Sequence, residues 1–266
     1  MPDCIKICNM GRVWNIEGTS LNGIRTRVEF SLSKTLIFIL HNDGKHIPIL
    51  IQPENACAFN HTILIKGAGR VKTVEHLFSA LYGLNIFNIR IDLFGNEVPF
   101  FDGSSREFVR LLFDYPITND FEQISLDKEI LVQDKNSYLL YEPARGKLTI
   151  DMVLEHPFIG KQEFAIEINR ENYIHEIAPA RTFVFTDLSD PRLKELPPYG
   201  FGITAERVYS FEPLRFPDEA VRHKILDLLG ELYLLRKKLV GRIRAYNTSH
   251  LLNLKFIREI LRNWRG

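Results

Sequence analysis

Cysteine is scarce: Cys4, Cys8 and Cys57 are the only three in 266 residues. An odd number at these spacings makes no disulfide framework, and the opening MPDCIKICNM carries no secretory signal, so a reducing cytoplasm is the expected compartment. Excess charge is also missing. A formal net charge of +1 gives no global basic field, which argues against nucleic acid or an anionic membrane as the main partner. Long apolar runs are absent too: TLIFIL, residues 35 to 40, is far too short to span a bilayer, so no integral membrane segment is expected. There is no low-complexity tract. What the chain does have is core material, 45% apolar residues, enough for one large or two compact folded domains.

One order of elements occurs twice. Segments near 24 to 32, 35 to 41 and 46 to 52 read as strands; TVEHLFSALYGL (73 to 84) reads as a helix that Thr73 is placed to cap, and IFNIRIDLF (86 to 94) as a strand. After the turn PFFDGS a second helix is expected over 104 to 113, where Ser104 and Glu107 have capping-box spacing. Strands near 129 to 133, 137 to 142 and 147 to 154 then precede a helix over 218 to 235, a strand at 241 to 246 and a helix over about 249 to 262. Each half ends helix, strand, helix. Pro, Asn and Asp interrupt the periodicity at 114 to 123, so the expected domains are 1–118 and 119–266, the second with an insert near 183–217. The implied class is α+β, in two related layers.

Chemistry-bearing residues fall in three places. Glu75 and His76 open the first helix, His223 and Asp227 lie four apart on another, and His250 stands near the start of the last. Residues at i and i+4 share a helix face, so His223 and Asp227 can share a ligand. Two imidazoles and a carboxylate from His76, His223 and Asp227 leave a fourth position for water, the usual pattern of a catalytic zinc site. Plainer readings stand beside this one: a solvated His–Asp helix pair worth a few tenths of a kcal/mol, surface polarity for Glu75 and His76, and an exposed neighbour of a cap for His250. Cys57 and the KGAG turn at 66 to 69 read as structural.

Taken together, TVEHLFSALYGL, GNEVPFFDGSSREFV, APARTFVF (178 to 185), AVRHKILDLLGELYLL and SHLLN resemble the UDP-3-O-acyl-N-acetylglucosamine deacetylases, the zinc enzymes of the committed step of lipid A biosynthesis in Gram-negative bacteria. The resemblance runs from about residue 10 to 262. It implies two β-α-α-β domains, each with a sheet and two main helices, and an active site between them. It also implies Zn2+ on His76, His223 and Asp227, Glu75 as general base, His250 as the second acid/base, Thr182 as oxyanion helper and Lys224 as a supporting cation. Glu231, one turn beyond Asp227, is the implied carboxylate partner of His250. The implied substrate is a UDP-linked, 3-O-acylated N-acetylglucosamine, whose acyl chain the family holds in an apolar passage formed by the insert, here beginning at Phe183.

The chain departs from the family pattern around these positions. Asn22 stands at a histidine position, Glu231 replaces an aspartate, Ser249 replaces a glycine, and PPYGFGITAE occupies the place of a Gly-rich stretch in the insert. Two alternatives therefore accompany the lipid A reading: a divergent deacetylase of another N-acetylated amino sugar or amide, and a noncatalytic zinc-containing binding protein. Acyl length, the metal used in the cell and the oligomeric state are not encoded in these motifs.

Overall fold

Apolar residues at every second position build the first layer. The computed structural model describes residues 8–9, 13–59, 62–67, 69–117, 121–190, 193 and 199–264. Strands β1 (Cys8–Asn9), β2 (Val13–Thr19), β3 (Arg25–Leu32), β4 (Ile37–Asn42) and β5 (Lys45–Pro48) come first, followed by a small antiparallel sheet of β6 (Ala56–Phe59), β7 (Thr62–Lys66) and β8 (Arg70–Lys72). Helix α1 (Glu75–Gly83), strand β9 (Ile89–Phe94) and helix α2 (Arg106–Leu112) complete this half. The main sheet has the order β1-β2-β3-β9-β4-β5, with β9 parallel to β4 and antiparallel to β3. Its inner face carries Ile16, Val28, Phe30, Phe38, Leu40, Ile91 and Leu93, all buried, as period-two strands require.

The second half repeats the plan. A short parallel pair joins β10 (Gln123–Ile124) to a strand near 238. Strands β11 (Ile130–Asp134), β12 (Ser137–Glu142), β13 (Thr149–His156) and β14 (Gly160–Glu167) lead to a helical turn, α3 (Arg170–Asn172). The insert contributes a three-stranded sheet of β15 (Phe183–Phe185), β16 (Phe201–Ile203) and β17 (Val208–Ser210). Helix α4 (Glu219–Leu232), β18 (Lys238–Leu239), β19 (Arg242–Tyr246) and helix α5 (His250–Asn263) follow. The main sheet here has the order β11-β12-β19-β13-β14, and β19 lies parallel to β13 and antiparallel to β12. In both halves the strand that precedes the last helix enters the middle of its sheet. Helix α1 packs on the first sheet, where Phe38 and Phe78 meet edge to face at 6.3 Å, and α4 packs on β13 and β14. The two helices face each other, giving the order sheet, helix, helix, sheet; every residue of α1 and every residue of α4 except Lys224 is buried.

Several local expectations are corrected. Thr73 does not cap α1: it takes a left-handed conformation, φ 57°, and its hydroxyl donates to Glu97 at 2.7 Å, so Val74 stands at the cap without a side-chain bond. Ser104 and Glu107 form no capping box, because the Ser104 hydroxyl donates to Asp102 and Glu107 pairs with Arg106 and Arg110. Strands β2 and β14 were not expected. In β2 the Phe101 ring fills the space under Gly18, where a Cβ would lie 2.5 Å from it, so one inward position shows no apolar side chain. β14 is an edge strand whose residues are mostly exposed or half-buried, which blurs its alternation. Residues 118 to 120 at the expected join, Cys4, Ala68 of the KGAG turn and the first two residues of PPYGFGITAE lie outside the described residues.

Candidate metal centre

Helices α1 and α4 touch at a glycine. A Cβ at Gly230 would lie 2.2 Å from the Glu75 carbonyl oxygen, so only a residue without one lets α4 come this close to the first turn of α1. That turn carries His76, and α4 brings His223 and Asp227 opposite it. The donor atoms of these three residues all lie within 4.8 Å of one another. Each of the three, and Glu75 beside them, is at most 3% exposed, which removes the surface readings of both pairs. The His76 and His223 rings meet edge to face at 5.2 Å. The Ser105 hydroxyl donates to the His76 carbonyl at 2.7 Å and ties the ligand turn to the start of α2.

Hydrogen bonding assigns the free donor atoms. His223 Nδ1 lies 3.1 Å from the Ala180 carbonyl, so this nitrogen carries the proton and Nε2 keeps a lone pair. Lys224 is no exposed helix lysine: its ammonium donates to Asp227 Oδ2 at 3.1 Å, which leaves Oδ1 as the available oxygen. Asp227 Oδ1 and His76 Nδ1 are buried and have no hydrogen-bond partner. Orphaned polar atoms of this kind are costly and rare unless an ion or water satisfies them. Burial, reinforced by His223, pushes the His76 pKa down to about 3, and burial also lowers His223, so both imidazoles are neutral donors. Burial opposes ionisation of Asp227, yet His223, Lys224 and His250 outweigh it and hold the carboxyl well below the usual carboxylate range. Two neutral nitrogens and one carboxylate oxygen, buried and converging, fit a divalent cation of the zinc type.

A hydrogen-bonded cluster is built around His250. Its Nδ1 bonds Glu231 Oε1 at 2.5 Å, and Asn253 Nδ2 donates to the other carboxylate oxygen. Burial works against the imidazolium, but Asp227 and Glu231 reverse this and raise the His250 pKa to about 9. The extra methylene of glutamate at 231 therefore still reaches the histidine. Ser249 causes no backbone conflict, since it is extended (φ −134°, ψ 160°), and its hydroxyl caps α5 by accepting from Leu252 N–H at 3.3 Å. Asn22 donates to the buried Glu97, which also accepts from Thr73, two residues before Glu75.

Thr182 stands two residues past Ala180, held by its neighbours. Its N–H donates to the Gly103 carbonyl at 2.8 Å and its carbonyl accepts from Phe201 N–H at 3.1 Å. A Cβ at Gly103 would meet its methyl at 2.6 Å and one at Gly200 its carbonyl oxygen at 2.3 Å. Both glycines have positive φ, and the Thr182 methyl packs into the space their missing side chains leave. Phe183 is half-buried with its ring 6.1 Å from that of His223, while Phe100 lies 5.3 Å from His76, so aromatic rings flank both imidazoles.

Sequence reasoning missed several contributors. Ala180 acts through its carbonyl, which no side-chain motif reveals. Arg181, between Ala180 and Thr182, is buried against Glu219 at the start of α4, and Arg215 binds Asp102 at 2.6 Å and the Pro179 carbonyl at 2.7 Å. These ion pairs fasten the 179–182 segment to both halves. Asn253 had a visible signal, being three residues beyond His250 and so on the same face of α5.

The sequence model for UDP-3-O-acyl N-acetylglycosamine deacetylase matches residues 13–262. The chain is similar to the UDP-3-O-acyl-N-acetylglucosamine deacetylase of Campylobacter hominis, 34% identical over 251 residues that cover 90% of this chain and 84% of that one. It is 38% identical to the enzyme of that name from Campylobacter fetus subsp. fetus, over 75% of this chain and 71% of that one. With its namesake in Syntrophotalea carbinolica it shares 36% identity, over 76% and 69% of the respective chains.

Proposed function

The chain belongs to the UDP-3-O-acyl N-acetylglycosamine deacetylase family, and on that premise we propose that it is a zinc-dependent amide hydrolase of lipid A biosynthesis. Its substrate is UDP-3-O-acyl-N-acetylglucosamine, its products are acetate and the free 2-amine, and its compartment is the cytoplasm. Among the described residues no helix is long and apolar enough to cross a membrane. The observation that carries the reading is the pair of buried orphan donors, His76 Nδ1 and Asp227 Oδ1, converging with His223.

His76, His223 and Asp227 would hold the zinc ion, which when bound would supply Lewis acidity and lower the pKa of water toward neutrality. Glu75, adjacent to His76, takes a proton from the water that adds to the acetamide carbonyl. The Thr182 hydroxyl, on a backbone held close to Gly103 and Gly200, donates to the oxygen on which negative charge develops. An amine leaves only when protonated. His250, kept charged by Asp227 and Glu231, uses Nδ1 to bond Glu231 and presents the Nε2 proton to the departing nitrogen as the C–N bond breaks. Lys224 holds Asp227 in its single-oxygen role. Phe183 opens the wall along which the 3-O-acyl chain lies, and the site lies between the two proposed domains, 1–118 and 119–266.

Acetate release from the UDP sugar with and without its 3-O-acyl chain tests this. Strong preference for the acylated form is expected, and equal turnover would remove the lipid A assignment. Glu75→Gln should retain zinc while kcat falls by about 10²–10⁴; full activity would move the general base elsewhere.

A further inference from the structure

A second group of metal-ligating side chains lies on the other face of the first sheet. Along β4, Phe38 and Leu40 are buried toward α1, so His41 projects from the opposite, outer face. His41 is paired directly across the β4–β5 hairpin with His46. Their Nδ1 atoms are 2.7 Å apart, and the rings stand at 76° with centroids 4.6 Å apart. Behind them, His41 Nε2 lies 2.6 Å from Asp92 Oδ1 on β9, and Asp92 is itself held by Arg90 at 2.7 and 2.9 Å. The His41 ring also lies flat on Phe94 at 4.4 Å, and the Arg27 guanidinium sits 4.1 Å from the centre of that aromatic ring.

This arrangement settles the tautomers. Asp92 accepts the Nε2–H of His41, which leaves His41 Nδ1 to share one proton with His46 Nδ1. His46 is exposed, and its proton can move to Nε2, where water receives it as a hydrogen-bond donor. Both Nδ1 atoms can then offer a lone pair to one ion that takes the place of the shared proton. Metal–nitrogen bonds of about 2.0 Å meeting at a right angle place the nitrogens about 2.8 Å apart, whereas a tetrahedral angle needs about 3.3 Å. The observed separation is that of a tetragonal edge. The carboxylate behind His41 is the arrangement that fixes the tautomer and orientation of a ligating histidine.

We infer that His41 and His46 form a second divalent-metal site, suited to an ion of tetragonal preference such as Cu2+, with Asp92 as its positioning residue and water in the remaining positions. The site stands independently of the proposed hydrolytic centre, on the far side of the sheet from α1. The test titrates Cu2+ into zinc-loaded protein and measures both metals after dialysis, with electron paramagnetic resonance of the copper. One further equivalent is expected, with hyperfine coupling to two imidazole nitrogens and zinc content unchanged. His41→Ala and His46→Ala should each abolish it, and Asp92→Asn should weaken it about tenfold, all three keeping their zinc and their rate of acetate release. Copper uptake by His46→Ala equal to that of the natural chain, or no uptake beyond zinc in the natural chain, overturns the inference. His223→Ala separates the two centres: it should lose zinc and keep this copper signal, and loss of that signal in His223→Ala would assign the copper to the first centre instead.

Discussion

At the scale of single residues, the site is a set of opposed titrations. His76 and His223 are neutral in the fold but take a proton near pH 6.5 once unfolded, so below that pH the unfolded chain of the metal-free protein binds more protons and stability falls with acid. His250 acts in the other direction. Its folded pKa of about 9 lies above the ordinary 6.5, so its contribution is complete below 6.5 and is lost as the pH rises through about 9. Denaturant titrations of metal-free protein across pH should therefore show a maximum near neutrality, and His250→Gln should remove the alkaline decline. An alkaline decline of the same size in that variant would show that His250 is not held charged by Asp227 and Glu231.

At the scale of elements, the geometry depends on how closely α1 and α4 approach. Gly230→Ala places a methyl against the Glu75 carbonyl, and since overpacking of this kind costs about 1–3 kcal/mol, it should lower stability and, by shifting the turn that carries His76, zinc affinity as well. Natural zinc affinity in Gly230→Ala would show that the contact does not set the site. Ser249→Ala should behave differently, costing about 1 kcal/mol for a lost cap with zinc content unchanged. This contrast marks what was legible in the sequence. The helices at 75, 219 and 250 and the strands at 89 and 242 were legible because their apolar residues recur at the period of the element. The grouping of His76, His223 and Asp227 was legible from residue type and order. Thr73 was not, because its hydroxyl's partner, Glu97, comes from a loop 24 residues away, and Ala180 was not, because a carbonyl has no letter of its own. Nothing in the sequence marks Gly230, and only the facing backbone shows why no other residue fits.

At the scale of the whole molecule, the two halves are joined by more than the proposed metal. Tyr233 donates to the Ile86 carbonyl at 2.9 Å, Lys238 to the Tyr82 carbonyl at 2.7 Å, and Arg258 to the carbonyls of Pro53 and Ala56. Chelating the metal should therefore leave a folded protein with a lower melting temperature, and restoring zinc at 100 times its Kd should return about 2.7 kcal/mol. A melting temperature indifferent to zinc would mean that the ion does not bind the native state preferentially. The matching strand orders, β2-β3-β9-β4-β5 and β11-β12-β19-β13-β14, add a last point. One proposed zinc ligand comes from the first copy of the plan and two from the second, so neither copy holds the proposed hydrolytic centre on its own. The centre is a property of the pairing. It works as a gauge set across a seam: a change anywhere that slides one half along the other should register as lost metal while each half still keeps its own fold.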